Sequence, residues 1–114
     1  MKNFSKGIIF EEIACKYLKS LGYVILVKRF KRSCGEIDVI AKNKNLITFI
    51  EVKFRKNIKS AAYAITERQK QRIIQTAEIF IQENENILKN CDFRFDAILF
   101  SQTSIQYIKN AFCT

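Results

Sequence analysis

The apolar positions along the chain follow two different periods, which change at glycines and polar clusters. From Phe4 to Leu21 they recur at helical spacing, with Phe4, Ile8, Cys15 and Leu18 on one face, and the run stops at Gly22, a good helix terminator. Tyr23 to Phe30, Gly35 to Ala41 and Leu46 to Arg55 are β-rich and read as strands. The polar stretch Lys42-Asn43-Lys44-Asn45 joins the last two as a hairpin. Thr66-Glu67-Arg68-Gln69 has the form of a capping box, with Thr66 as N-cap and Gln69 reaching back. It opens a helix carrying Ile73, Ile74, Ala77, Phe80 and Ile81 on one side, ended by the polar residues from Glu83 to Asn90. Phe93 to Phe100 and Ile105 to Ile108 read as two strands around a Ser-Gln-Thr-Ser turn.

The order α-β-β-β-α-β-β predicts an α/β fold, a mixed four- to five-stranded sheet flanked by two main helices. The long passage through the second helix suits a parallel crossover into the fourth strand. Neither a linker nor a repeat interrupts the chain, so residues 1–114 read as a single domain.

Three acidic residues break this pattern, standing where stability alone would place apolar ones. Glu11 falls inside the apolar arc of the first helix, between the small residues Gly7 and Ala14, and so points at the sheet. Its neighbour Glu12 shares the wet face with Lys16 and Lys19. Asp38 is wedged between Ile37 and Val39, although Asp is a poor strand residue. Glu51 lies in the most apolar strand and, two residues from Lys53, shares its face, while Ile50, Val52 and Phe54 take the other. A hairpin register that sets Asp38 opposite or diagonal to Glu51 brings the two carboxylates within several ångströms.

Two carboxylates at about 4 Å repel by roughly 1–4 kcal/mol near a protein surface, and desolvation adds to that. A divalent cation offsets both costs, and carboxylates with a backbone carbonyl and waters suit Mg²⁺ or Mn²⁺. A lone Glu-x-Lys is usually a solvated strand edge; the three acids together are a much rarer pattern.

Composition sharpens this. The chain of 114 residues has no histidine, which removes Ser-His-Asp, Cys-His and histidine-based nuclease chemistry. Its three glycines form no phosphate-cradling loop. Cys15, Cys34, Cys91 and Cys113 are too far apart for a paired zinc motif and read as reduced, mostly buried thiols. The net charge of +9 favours a polyanionic partner. Neither a membrane-spanning run nor a signal peptide is seen, so the expected location is cytoplasmic, with no membrane partner. Lys28, Arg29, Lys31, Arg32, Arg55, Lys56 and, near the start of the second helix, Lys70 are candidates for nucleic-acid contact. Glu36 shares a face with Asp38, and Asp96 reads as a strand-end ion-pair partner.

Asp38 with Glu51-x-Lys53 resembles the PD-(D/E)XK signature without its proline. The wider set, Gly7-x-x-x-Glu11-x-x-Ala14, Gly22-Tyr23, Gly35-Glu36-Ile37-Asp38, Ile50-Glu51-Val52-Lys53-x-Arg55, Lys70 and Arg94-Phe95-Asp96, resembles the YraN family, an uncharacterised bacterial family (number 0102) distantly similar to archaeal Holliday-junction resolvases. Arg29-Phe30 departs from the Asn-Trp pair common in that family.

The resemblance implies a restriction-endonuclease-like core. Asp38, Glu51 and the Val52 carbonyl would hold the metal, joined by Glu11, and Lys53 would orient or deprotonate the attacking water. The implied function is a metal-dependent endonuclease acting on nucleic acid, DNA more than RNA, including branched or processed DNA. Junction cleavage further implies a homodimer, for which the edge strand Ile105 to Ile108 is a candidate interface. The alternatives are a non-catalytic nucleic-acid-binding protein that keeps the fold, and an adaptor that meets an acidic protein.

Overall fold

The computed structural model describes residues 6–56 and 65–112; Phe4 and Cys113 lie outside them. Helix α1 (Lys6–Ser20) precedes strands β1 (Val24–Arg32), β2 (Gly35–Asn43) and β3 (Leu46–Phe54). Helix α2 (Glu67–Glu83) leads to β4 (Asp92–Phe100) and β5 (Ile105–Phe112). The five strands form one sheet in chain order, antiparallel throughout except for the parallel β3–β4 pair.

Local chemistry sets the ends of these elements. At the end of α1, Gly22 takes φ +96°, its N–H donates to the Lys19 carbonyl and that of Tyr23 to Leu18, which closes the helix in a Schellman turn. Leu18 and Tyr23, bridged by that turn, both enter the core. The capping box of α2 forms as the sequence predicts: the Gln69 N–H donates to Thr66 Oγ1 at 3.1 Å, and the Thr66 N–H to Gln69 Oε1 at 3.1 Å. Asn43 pairs with Leu46, leaving Lys44-Asn45 as a two-residue turn with Lys44 at φ 57°. That turn fixes the register of the whole β2–β3 hairpin.

The helices cover opposite faces. Ala14, Cys15 and Leu18 of α1 pack on Val39, Ala41 and Ile50, while Ile73, Ala77 and Phe80 of α2 pack on Ile37, Ile40 and Phe49. Each fully buried Leu, Ile, Val or Phe among them contributes roughly 1.5–3 kcal/mol. Of the described cysteines only Cys15 is buried; Cys34 and Cys91 are half-buried, and all three are free thiols.

β5 continues to Phe112, beyond the expected end at Ile108. Its pairing shifts opposite Phe95–Ala97, and Asn110 adopts φ 55° there. The shift serves Asp96, which lies fully buried within β4 and not at a strand end as its sequence context suggests. Asp96 accepts from Arg94 Nε at 2.7 Å, Arg94 Nη2 at 2.8 Å, Thr48 Oγ1 at 2.6 Å, the Tyr107 hydroxyl at 2.6 Å and the Asn110 N–H at 2.8 Å. The expected ion pair is present, with Arg94.

α2 approaches β2 most closely at Gly35. A Cβ there would lie 3.0 Å from Thr76 Oγ1, 3.2 Å from Arg72 Cβ and 3.3 Å from the Arg72 carbonyl oxygen. Thr76 is itself held, its hydroxyl donating to that carbonyl at 2.7 Å. Gly35→Ala is therefore expected to destabilise the fold by about 1–3 kcal/mol, measured by denaturant unfolding; an unchanged midpoint would show that the helix moves aside freely.

Candidate functional site

The sheet opens where β2 begins and β3 ends. The last β2–β3 pair is Val39 with Ile50, and the same register carried one residue further sets Asp38 across from Glu51. On the β1 side the regular pairing skips the same position: Lys28 opposes Val39 and Phe30 opposes Ile37, with Arg29 between them at φ 52°. Arg seldom adopts positive φ, so this kink is an unusual backbone position directly beside Asp38.

A cavity of about 300 Å³ occupies the opening. Its walls are Glu11 from α1, Gly35, Glu36 and Asp38 from β2, Glu51, Val52 and Lys53 from β3, and Gln69, Arg72 and Ile73 from α2. The three anomalous carboxylates and Lys53 of the sequence pattern thus meet in one place. β-strand alternation does this for Glu51 and Lys53, since Ile50, Val52 and Phe54 join the core on the α1 side.

The electrostatics show the strain of bringing these acids together. Asp38 Oδ2 accepts the Val52 N–H at 2.8 Å, which anchors it. Glu51 is only 7% exposed, and its Oε1 has no hydrogen-bond partner. Burial, then the charge of Asp38 and a hydrogen bond with it, push the Glu51 carboxyl up to about 9, against the opposing pull of Lys53. Burial and Asp38 also raise Glu11 to about 7, with Arg29 pulling the other way. Arg29 Nη1 stands 3.6 Å from Glu11 Oε1, so the partner of this helical acid is an arginine at the kink.

The expected cationic residues divide. Lys28 pairs with Glu12 at 2.9 Å, the acid that the helical spacing had set with Lys16 and Lys19. Arg32 pairs with Glu83 and lies over the Phe30 ring. Lys31, Arg55 and Lys56 are exposed, and Arg55 Nη1 donates to the Phe54 carbonyl. Lys70 pairs with Glu67 and stands 5.9 Å over the Phe112 ring, lining a separate small cavity near β4 and β5.

α2 instead presents Gln69 and Arg72 to the acids, neither of which sequence reasoning had placed there. The signal was available, because residues 69, 72 and 73 share a helix face while residue 70 belongs with 74 and 77. Among the described residues no three His, Cys, Asp or Glu side chains already stand as a ligating cluster. None of the described helices is long and apolar enough to cross a membrane.

Comparison with known proteins agrees with this architecture. The family model described as "Uncharacterised protein family UPF0102" matches residues 10–100. A UPF0102 protein of Rhodopseudomonas palustris (strain HaA2) is 44% identical over 110 residues, covering 96% of this chain and 85% of the relative. One from Sulfurihydrogenibium sp. (strain YO3AOP1) is 41% identical over 114 residues, covering 98% and 97%. Among solved structures, Archaeoglobus fulgidus Hjc, a Holliday junction resolvase from an archaeal hyperthermophile, is similar at a TM-score of 0.62 and 19% identity, covering 92% of this chain and 73% of that one. The fold is accordingly restriction-endonuclease-like.

Proposed function

The chain belongs to the UPF0102 family, and from that premise we propose that it is a metal-dependent endonuclease that hydrolyses phosphodiester bonds in DNA, branched or processed DNA included. The observation that carries this reading is the buried Glu51 carboxyl, which feels the charge of Asp38 while its Oε1 has no hydrogen-bond partner. A fold maintained for stability alone would replace such a pair with apolar side chains. An orphaned buried oxygen beside a second carboxylate fits a hard divalent cation that keeps most of its waters.

Asp38, Glu51 and the Val52 carbonyl would hold Mg²⁺ or Mn²⁺, with Glu11 joining through water or directly. When bound, the ion supplies Lewis-acid stabilisation of the phosphate and a more acidic water. The chain's own groups do the rest. The Asp38 carboxylate is kept in place by the Val52 N–H. Lys53, on the same wall as Glu51, orients the attacking water and offsets charge that develops on the phosphate oxygens. Hydrolysis forms a bond from water oxygen to phosphorus and breaks the bond from phosphorus to the leaving sugar oxygen, which takes up the proton.

The test is a cleavage assay over single-stranded, duplex, flapped and four-way-junction DNA, and RNA, with Mg²⁺, Mn²⁺ or chelator. Metal-dependent cutting that falls by about a hundredfold or more in Asp38→Ala and in Lys53→Met supports the proposal. Cutting that survives Asp38→Ala would refer the activity elsewhere. One observation favours a second reading, a nucleic-acid-binding protein without catalysis: the absence of a ready-made ligating cluster among the described residues. Salt-sensitive binding without cutting in any metal would establish it.

A further inference from the structure

The cavity wall carries four acids, Glu11, Glu36, Asp38 and Glu51, against two cations, Lys53 and Arg72. A polyanion entering such a pocket meets repulsion unless a positive group draws it in. Most cations near the site already face an acid. Arg29 stands beside Glu11, Lys28 holds Glu12, and Lys53 lies close enough to Glu51 to oppose its raised pKa. Arg72 differs. It is exposed at the mouth, and among the described residues no carboxylate pairs with it.

The root of Arg72 is also fixed. Gly35 lets α2 settle onto β2 until a Cβ at this position would have only crowded space beside Arg72 and Thr76. Arg72 lines the cavity from this position, and its guanidinium is a planar fork whose geometry suits phosphate oxygens. It reaches the cavity from α2, on the face of the sheet opposite the one from which Glu11 and Arg29 approach.

We propose that Arg72 is a substrate-binding residue that takes a backbone phosphate beside the scissile one, holding the DNA strand across the opening between β2 and β3. This rests on the nuclease reading and adds a specific contact to it. Arg72 supplies binding and register, whereas the acids and Lys53 supply the chemistry.

The experiment measures binding of fluorescein-labelled duplex and four-way-junction DNA in chelator over a salt series, for wild type, Arg72→Ala and Arg72→Lys. Cleavage by the same proteins is followed in Mg²⁺, with thermal melts as a folding control. Arg72→Ala is expected to weaken binding by about ten- to a hundredfold, to lower the slope of log K against log salt by about one, and to raise KM far more than it lowers kcat. Arg72→Lys is expected to restore the slope, because the charge is kept. Wild-type affinity and slope in Arg72→Ala, on a protein that binds and cuts, would overturn the proposal and leave the nuclease reading standing. Weaker binding with an unchanged slope and a lowered melting point would mark Arg72 as structural and overturn it too. A wild-type protein that neither binds nor cuts would remove the nuclease reading and this proposal with it.

Discussion

Glu51→Gln should abolish cleavage while leaving the metal-free protein at least as stable as wild type at about pH 8. The two effects have one origin. Glu51 is buried opposite Asp38, and its carboxyl is pushed up to about 9. The folded-state pKa exceeds the unfolded one, so across the interval between them the unfolded chain has released a proton that the folded chain keeps. The associated stability is present in full below about pH 4.5 and is lost as pH rises toward 9. Glu11, raised to about 7, adds to the same decline over the lower part of that window. A neutral amide cannot titrate, so the melting-temperature gap between Glu51→Gln and wild type should widen in the variant's favour as pH rises. On the proposed metal-site reading the variant also lacks a carboxylate ligand, and cleavage is expected to fall by about 10²–10⁴-fold.

Metal binding displaces the retained proton, so Mg²⁺ affinity in the wild type should rise with pH. Thermal melts in chelator from about pH 5 to 8.5, paired with the cleavage assay, decide the matter. A variant that melts below wild type at the upper end would show that the Glu51 carboxylate stabilises the fold, which is the opposite of the site proposed.

Asp96→Ala is expected to cost about 3–5 kcal/mol, a large share of the 5–15 kcal/mol that holds a typical domain together. The substitution strands Arg94, Thr48, Tyr107 and the Asn110 N–H at once. Burial by itself would raise the Asp96 pKa, but its hydrogen bonds from Arg94, Thr48, Tyr107 and Asn110 outweigh burial and hold it below the ordinary value. Its contribution is thus intact at neutral pH and disappears in acid, as pH falls through that depressed value. Chemical denaturation at neutral pH tests the magnitude; a loss under about 1 kcal/mol would mean that the network relaxes around the gap. Wild-type stability should therefore peak on the acid side of neutrality, falling below the peak as Asp96 protonates and above it as Glu51 and Glu11 ionise.

The sequence disclosed those parts of the fold that rest on short-range rules. Strand alternation put Glu51 with Lys53 and away from Val52, and the polar stretch Lys42-Asn43-Lys44-Asn45 marked the hairpin but left its register open; the two-residue turn at Lys44-Asn45 fixes it so that Asp38 lies across from Glu51. The capping box located the start of α2 to the residue. What stayed hidden depends on contacts between distant segments. The kink at Arg29 has no local signature, because arginine gives no hint of positive φ. The pairing of Lys28 with Glu12 and of Arg32 with Glu83 links residues 16 and 51 positions apart, so a linear count of basic residues overstated the unpaired charge near the site. Arg72 was legible in part, since it shares a helix face with Gln69 and Ile73, but its closeness to the acids depends on α2 settling against Gly35. The run of β5 past Ile108 depends on the shift at Asn110, which answers a carboxylate on the neighbouring strand.

The parallel crossover between β3 and β4 divides the molecule into two inheritances. Glu11, Asp38, Glu51 and Lys53 all lie before it, on one helix and one hairpin that close over short stretches of chain. Gln69 and Arg72 arrive only after it, on a separate helix that packs on the hairpin from the other face of the sheet. On the nuclease reading proposed above, substitutions along the exposed face of α2 would alter the grip on substrate while leaving the acids of the hairpin and α1 in place.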